Sequence, residues 1–340
     1  MTTRPLSPLT MLLSRHTRRR EFISLLGGAA TWPLAARAQQ PAMPVIGFLG
    51  MASPSTLAAR LEAFRLGLRD FGYVEGTNIT IEYRWAEGRY ERLPELAAEL
   101  VRSNVDLIVT HGTPGTLAAR RATATIPIVM AVIGDAVASG VAASITRPGG
   151  NITGQSFFNA ELRAKRIELL KELMPRVTQV AVLLSTDNPA SEPELQAIET
   201  AAQLLNIGLQ PFRLREPSEF VSAFESMEQA RVGAVETGDD LLFVTNVGAI
   251  VALAARARLP SIGPADVARA GGVIGYGVDL VTTFRRTGFF VDRILKGANP
   301  ADLPIERASK FQFVLNLKTA KALGLDVPTA TLLRADEVIE

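Results

Sequence analysis

Six short polar clusters have the make-up of small-molecule contacts, and each ends an apolar run and opens an amphipathic stretch. Met51-Ala52-Ser53-Pro54-Ser55 sets Ser53 at a helix N-cap and Pro54 at the first helical position. His111-Gly112-Thr113-Pro114 repeats that device, and Ile133-Gly134-Asp135 closes a further run. The second half supplies Ser185-Thr186-Asp187-Asn188-Pro189, Thr245-Asn246 and Gly263-Pro264-Ala265-Asp266. Beyond the carboxyl ends of parallel strands, helix N-termini present free N–H groups and a positive dipole end. Ser53 and Thr113 could there take a ligand carboxylate, and Asp135, Asp187 and Asp266 an ammonium; Asn188, Thr245 and Asn246 complete the candidate set. Each residue also serves as a plain cap for orphan backbone donors. Recurrence in both halves, always at the same strand edge, is what favours a ligand.

Other chemistries are excluded more firmly. The chain has no cysteine, so disulfides, thiolate metal sites, cysteine nucleophiles and a lipid-modified cysteine anchor are all ruled out. Its two histidines are His16 and His111, and one mature imidazole cannot build a histidine zinc site. His111 reads as a strand-end polar residue. There is no G-x-S-x-G elbow and no phosphate-binding G-x-x-x-x-G-K-[ST]. The Gly271-Gly272-Val273-Ile274-Gly275-Tyr276-Gly277 run follows no first strand and reads as a flexible crossing, Phe157-Phe158 as core rather than the alternative of a cleft wall for an apolar ligand, and the Lys165-Arg166 and Arg285-Arg286 charges as solvated helix faces. No catalytic residue, metal or cofactor is expected.

The elements that must position the clusters alternate with little interruption. Val45–Gly50 is a buried-strand pattern, and Leu57, Leu61, Phe64, Leu68 and Phe71 then recur at helical spacing. Strand and helix patterns continue through 78–85, 93–101, 105–109, 113–121 and 126–130, up to the turn-rich Arg147-Pro148-Gly149-Gly150-Asn151. The rhythm restarts with a helix at 162–174, strands at 177–184, 209–214, 241–244 and 259–262, and helices at 194–205, 218–229 and 247–257. A helix at 282–296, a strand at 311–315 and a helix at 318–323 form the tail. This alternation predicts an α/β chain with doubly wound parallel sheets. The tail is too short to be a third domain and must complete the sheets of one or both blocks. The chain therefore crosses between two lobes more than once, and such crossings make a hinge.

The first 38 residues have a different character. Arg18-Arg19-Arg20-Glu21-Phe22-Ile23 precedes a short apolar run, and Ala36-Arg37-Ala38 offers a signal-peptidase site, which predicts a cleaved export leader of the twin-arginine type. That leader carries six arginines against one acid, so a chain that is +2 overall becomes about −3 without it. The basic balance is thus no argument for nucleic acid. No later apolar run reaches transmembrane length, which predicts a soluble periplasmic protein.

Several stretches together resemble one family. Arg147-Pro148-Gly149-Gly150-Asn151-Ile152-Thr153-Gly154, the helix start Glu161-Leu162-Arg163-Ala164-Lys165-Arg166, the 271–277 glycine run, Val291–Ala298 and Asn316–Leu325 are similar in order and spacing to the substrate-binding components of ABC importers, including the tryptophan/tyrosine-type binding proteins. The resemblance implies a type I periplasmic-binding-protein fold, a ligand held between two lobes and docking onto an ABC permease at the membrane. It implies first-lobe contacts from Ser53 and Thr113, and contacts across the cleft from Asp187, Asn188, Thr245, Asn246 and Asp266. The chain departs from that family's pattern at Gly134-Asp135-Ala136, where Gly-Asp-Pro is expected, and at Thr245-Asn246, in place of Pro-Asp. The expected lobes are 44–152 plus about 276–308, and 153–275 plus about 309–340. The expected function is an exported, monomeric receptor for an amino acid or related carboxylate, with no nucleic acid and no lipid anchor. An exported α/β hydrolase, or a ligand sensor of the same fold signalling to a membrane partner, is the alternative.

Overall fold

Strand and helix alternate as the sequence pattern requires, and in the computed structural model, which describes residues 43–340, they build two sheets. The expected leader, 1–38, lies outside the described residues. The first sheet contains β1 (Val45–Gly50), β2 (Thr80–Trp85), β3 (Leu107–His111), β4 (Ile128–Ile133) and β5 (Ile152–Ser156). Helices α1 (Ala58–Arg69), α2 (Leu93–Arg102) and α3 (Gly112–Ala122) connect its first four strands. All of its pairings are parallel. Its central strands are buried from end to end, as a sheet covered on both faces demands.

The second sheet takes β6 (Gln179–Ser185), β7 (Gly208–Leu214), β8 (Ala234–Thr237), β9 (Ser261–Gly263) and β10 (Ile274–Val278). It is wrapped by α4 (Asn159–Leu173), α5 (Ser191–Leu204), α6 (Phe220–Gln229), α7 (Leu241–Val244), α8 (Val247–Arg256) and α9 (Ala265–Arg269). The chain then returns to the first sheet with α10 (Leu280–Leu295), which packs on α1, β4 and β5. Strand β11 (Glu306–Arg307) pairs with β5. The tail finishes the second sheet with β12 (Phe311–Asn316), α11 (Leu317–Ala322), α12 (Thr329–Leu332) and β13 (Glu337–Ile339). The orders are β11-β5-β4-β3-β1-β2 and β13-β12-β10-β9-β8-β6-β7, with β10–β12 the antiparallel pair. The tail therefore completes both sheets, and the chain passes between them after Ser156, after Val278 and after Arg307.

Helices α1 and α10 cross at Gly67 and Gly288, where the two backbones touch; a methyl group on Gly67 would overlap the Arg285 carbonyl. This contact fixes the returning helix to the first sheet.

Two element expectations are corrected. Leu241–Val244 is a helical turn, and the strand of that unit is Ala234–Thr237. Asp240 winds the run, its carboxylate accepting the Leu242 N–H at 2.9 Å; four apolar residues carry no period that separates strand from helix. The glycine run at 271–277 is no flexible crossing, since Ile274–Val278 forms β10, inside the second sheet. A Cβ on Gly275 would meet the Ala265 backbone at 2.6 Å, so its glycine allows close packing of α9. Among the described residues no helix is long and apolar enough to cross a membrane.

Candidate ligand-binding site

The carboxyl ends of the two sheets face each other across a cavity of about 370 Å³. Such a volume suits a small organic molecule. Met51, Thr56, Arg60, Thr113 and Gly134 belong to its first-sheet wall; Ser185, Asn188, Glu194, Asp239, Asp240 and Asp266 belong to the second. Leu280, at the second crossing, also reaches it.

The first wall depends on a tight turn. Gly112 has φ of 69°, which lets β3 turn directly into α3 with Thr113 on the cavity wall. His111, just before it, is buried; its Nε2 accepts the Met51 N–H at 3.1 Å, and its ring lies against Phe284. Burial, helped by the nearby Arg60 charge, pulls this imidazole down to about 3, so it is a neutral acceptor. The unfolded chain takes up that proton near the ordinary value of 6.5. His111 therefore contributes stability that is full above the unfolded value and lost as pH falls toward the folded one. His111→Gln is expected to flatten the fall in urea midpoint between about pH 7 and pH 4. An equally steep fall in the variant would clear His111 as its cause.

The second wall rests on Arg166, which the sequence reading placed in water, and on its neighbour Arg163. Arg163 and Arg166 lie three residues apart on one face of α4 and are 1% and 0% exposed. Arg163 Nη2 donates to Glu236 Oε2 at 2.6 Å and its Nη1 to Glu194 Oε2 at 3.3 Å. Arg166 donates to both Asp239 oxygens at 2.7 and 2.8 Å, to Glu236 at 3.2 Å and to the Tyr276 carbonyl at 2.7 Å. Burial weighs against the Arg163 charge, but Glu236 and Glu194 more than offset it and raise its pKa. Burial also pushes the Glu194 carboxyl up. Two guanidiniums thus hold three carboxyl groups, Glu194, Glu236 and Asp239. By contrast Arg285 and Arg286 are exposed, paired with Asp70 and Glu306.

Asp240 is buried beside this network without a cation within 4 Å among the described residues. Besides the Leu242 N–H, it accepts Asn188 Nδ2 at 2.9 Å and the Tyr90 hydroxyl at 3.2 Å. Burial pushes its carboxyl up, and those donors partly counter the shift. Tyr90 precedes α2 of the first sheet, so this hydrogen bond spans the two sides of the cavity. On the opposite wall Arg60, partly buried, has no hydrogen-bond or ion-pair partner among the described residues. Burial pulls its guanidinium down, and Asp266 from across the cavity opposes that shift.

Thr113, Asn188 and Asp266 of the expected residues are on the wall. The other five do not line it and are engaged in caps or surface pairs beside it. Ser53 bonds the Ser55 and Thr56 hydroxyls, and Asp135 accepts the Val137 and Ala138 N–H groups at 2.9 Å. Asp187 pairs with Arg215 at 3.2 Å near the surface. Thr245 donates to the Leu241 carbonyl at 2.7 Å, and Asn246 to Leu242 at 2.8 Å. Sequence reasoning missed Arg60, Glu194, Asp239 and Asp240. The last two follow the strand at 234–237 after Gly238, so placing that strand correctly would have exposed them.

The family model for the ABC transporter substrate binding protein matches residues 46–339. A tyrosine-binding protein of Clostridioides difficile (strain R20291) is 26% identical over 281 residues, covering 82% of this chain and 81% of that protein. An ABC domain from Streptococcus pneumonia, crystallised in complex with L-Trp, is 26% identical with a TM-score of 0.81. A conserved domain protein of Vibrio cholerae is 25% identical with a TM-score of 0.82. Each of these two alignments covers 87% of this chain and 99% of the other.

Proposed function

The chain belongs to the ABC transporter substrate-binding protein family, and on that premise we propose that it is the exported receptor of an importer, holding an amino acid or related carboxylate between two closing lobes. The observation that carries this reading is the cavity itself, walled from both sheets at their carboxyl ends, with Arg60, which has no ionic partner among the described residues, on one side and several carboxyl groups on the other. The tyrosine and L-Trp named for its relatives support the ligand class.

Residues 44–152 and about 276–308 form one lobe in this reading, and 153–275 with about 309–340 the other, the three crossings acting as the hinge. Contacts from both walls exist together only in the closed form, so a solute shifts the population toward closure. A membrane permease then reads that form. The arginine-pair leader supports delivery to the periplasm.

The test is a thermal-shift screen of the full chain against amino acids, small carboxylates, sugars and nucleosides, after unfolding and refolding to strip carried-over solute. A ligand at a hundred times its dissociation constant adds about 2.7 kcal/mol. A clear upward shift with amino acids or carboxylates is the expected result. No shift with any compound would sink the receptor reading.

A further inference from the structure

We propose that Tyr90 is a clasp, its hydroxyl holding the two halves together over the cavity and so setting the affinity for every solute without touching one. This rests on the reading of the two halves as lobes that part and close.

The two halves meet in few places. Away from the three crossings, the Tyr90–Asp240 bond is the one hydrogen bond or ion pair that joins them among the described residues. The others lie at the crossings themselves. Among them, Phe157 and Asn159 donate to the Ile133 and Gly134 carbonyls, Arg307 meets Glu161, and Lys310 meets Asp279 and Thr282. Apolar contact joins the halves at the same spot as the clasp. Leu241, next to Asp240 in the second half, is buried in the hydrophobic cluster of the first sheet, against which Tyr90 also packs.

Both partners are set in advance. Tyr90 sits on the loop between β2 and α2, which the Ala86 and Gly88 N–H groups tie to the Gly50 and Met51 carbonyls at 2.9 and 2.8 Å. Within that loop Glu87 keeps a left-handed backbone at φ 57°, a conformation that persists only where its surroundings hold it. Asp240 is fixed by its own half, through the Leu242 N–H, Asn188 Nδ2 and the Ser185 hydroxyl. A carboxylate offers about four acceptor positions, so most are filled from within and Tyr90 takes the remainder. Burial and the Asp240 charge push the phenol well above its ordinary value, which keeps it a donor. Tyr90 itself is not on the cavity wall. A solute that needs both walls binds only the joined halves, so its apparent dissociation constant is the intrinsic one divided by the joined fraction. The clasp raises that fraction by the same factor whatever the solute is.

Small-angle X-ray scattering of the full chain, stripped of solute by unfolding and refolding, compares the wild type with Tyr90→Phe. That variant loses one oxygen and keeps the ring. It is expected to scatter as the larger particle, since its halves are apart more of the time. Equal radii of gyration would overturn the clasp. Calorimetric titration with the L-amino acids and small carboxylates that raise the wild-type melting temperature supplies a second readout. Tyr90→Phe is expected to weaken all of them by one common factor, about three- to tenfold, the worth of one such bond. Weakening confined to some compounds would mark Tyr90 as a solute contact, and unchanged affinities an idle bond; either overturns the proposal. Tyr90→Ala, which also removes the ring, is expected to exceed both effects, and unfolding midpoints check that each variant folds. If no compound binds, the receptor reading falls, while the scattering still decides the clasp.

Discussion

Replacing Arg166 by alanine is expected to lower stability by about 3–5 kcal/mol, the cost of removing one member of a buried ion cluster. Its guanidinium is wholly buried and serves Asp239, Glu236 and the Tyr276 carbonyl at once. Alanine would leave Glu236, itself fully buried, shared with Arg163 alone, and Asp239 without its cation. Whether the intact cluster outperforms a well-packed apolar core is a separate matter, because buried pairs often do no better than hydrophobic isosteres. The large effect comes from breaking the cluster, not from its absolute worth. Arg166→Lys should fall between the two, since a point charge cannot reproduce a planar fork. Urea unfolding of the three proteins measures the series. A loss below about 1 kcal/mol would match an exposed pair and contradict the burial described here.

The second large effect is expected where α1 meets α10. An alanine in place of glycine inside a helix gains about 1 kcal/mol from propensity. At Gly67 and Gly288 the opposing term wins, because the added carbon would enter backbone that cannot swing aside as a flexible side chain can. Gly67→Ala is therefore expected to be destabilising overall, within the roughly 1–3 kcal/mol range of overpacking. Gly288→Val should cost more, since forcing α10 away uncovers Phe284, Phe290 and Val291. Thermal midpoints and limited proteolysis near Gly297 would follow the loss. A Gly67→Ala protein as stable as the parent would show that the helices part freely.

The α/β rhythm and most strand positions were legible in the sequence because buried parallel strands read as continuous apolar runs. The misplaced strand at 241–244 shows the limit of that signal: a capping carboxylate at Asp240 decided the matter, and a cap is visible only once the turn is known. The alternating residue types at 78–85 marked edge strand β2 correctly, although in the fold only Ile81 of that strand is buried. The site was harder to read. Ser53, Asp135, Thr245 and Asn246 carry the right chemistry, but local backbone bonds absorb it. Lys165-Arg166 looked like a solvated helix face because the partners of Arg166, Glu236 and Asp239, come from distant parts of the chain. Charge burial is a tertiary property, and one helix considered alone does not contain it.

The late return of the chain to the first sheet also dictates an order of assembly. On the ribosome, β1 to β5 emerge early, yet the helix that covers β4 and β5, and the strand that pairs with β5, come only after the second sheet's first five strands. The second sheet in turn waits for β12 and β13. A nascent chain stopped at Val278 would hold two unfinished halves, each with bare apolar surface of the kind that chaperones hold. Neither half can be cut out as a continuous segment, and the last sixth of the chain completes both.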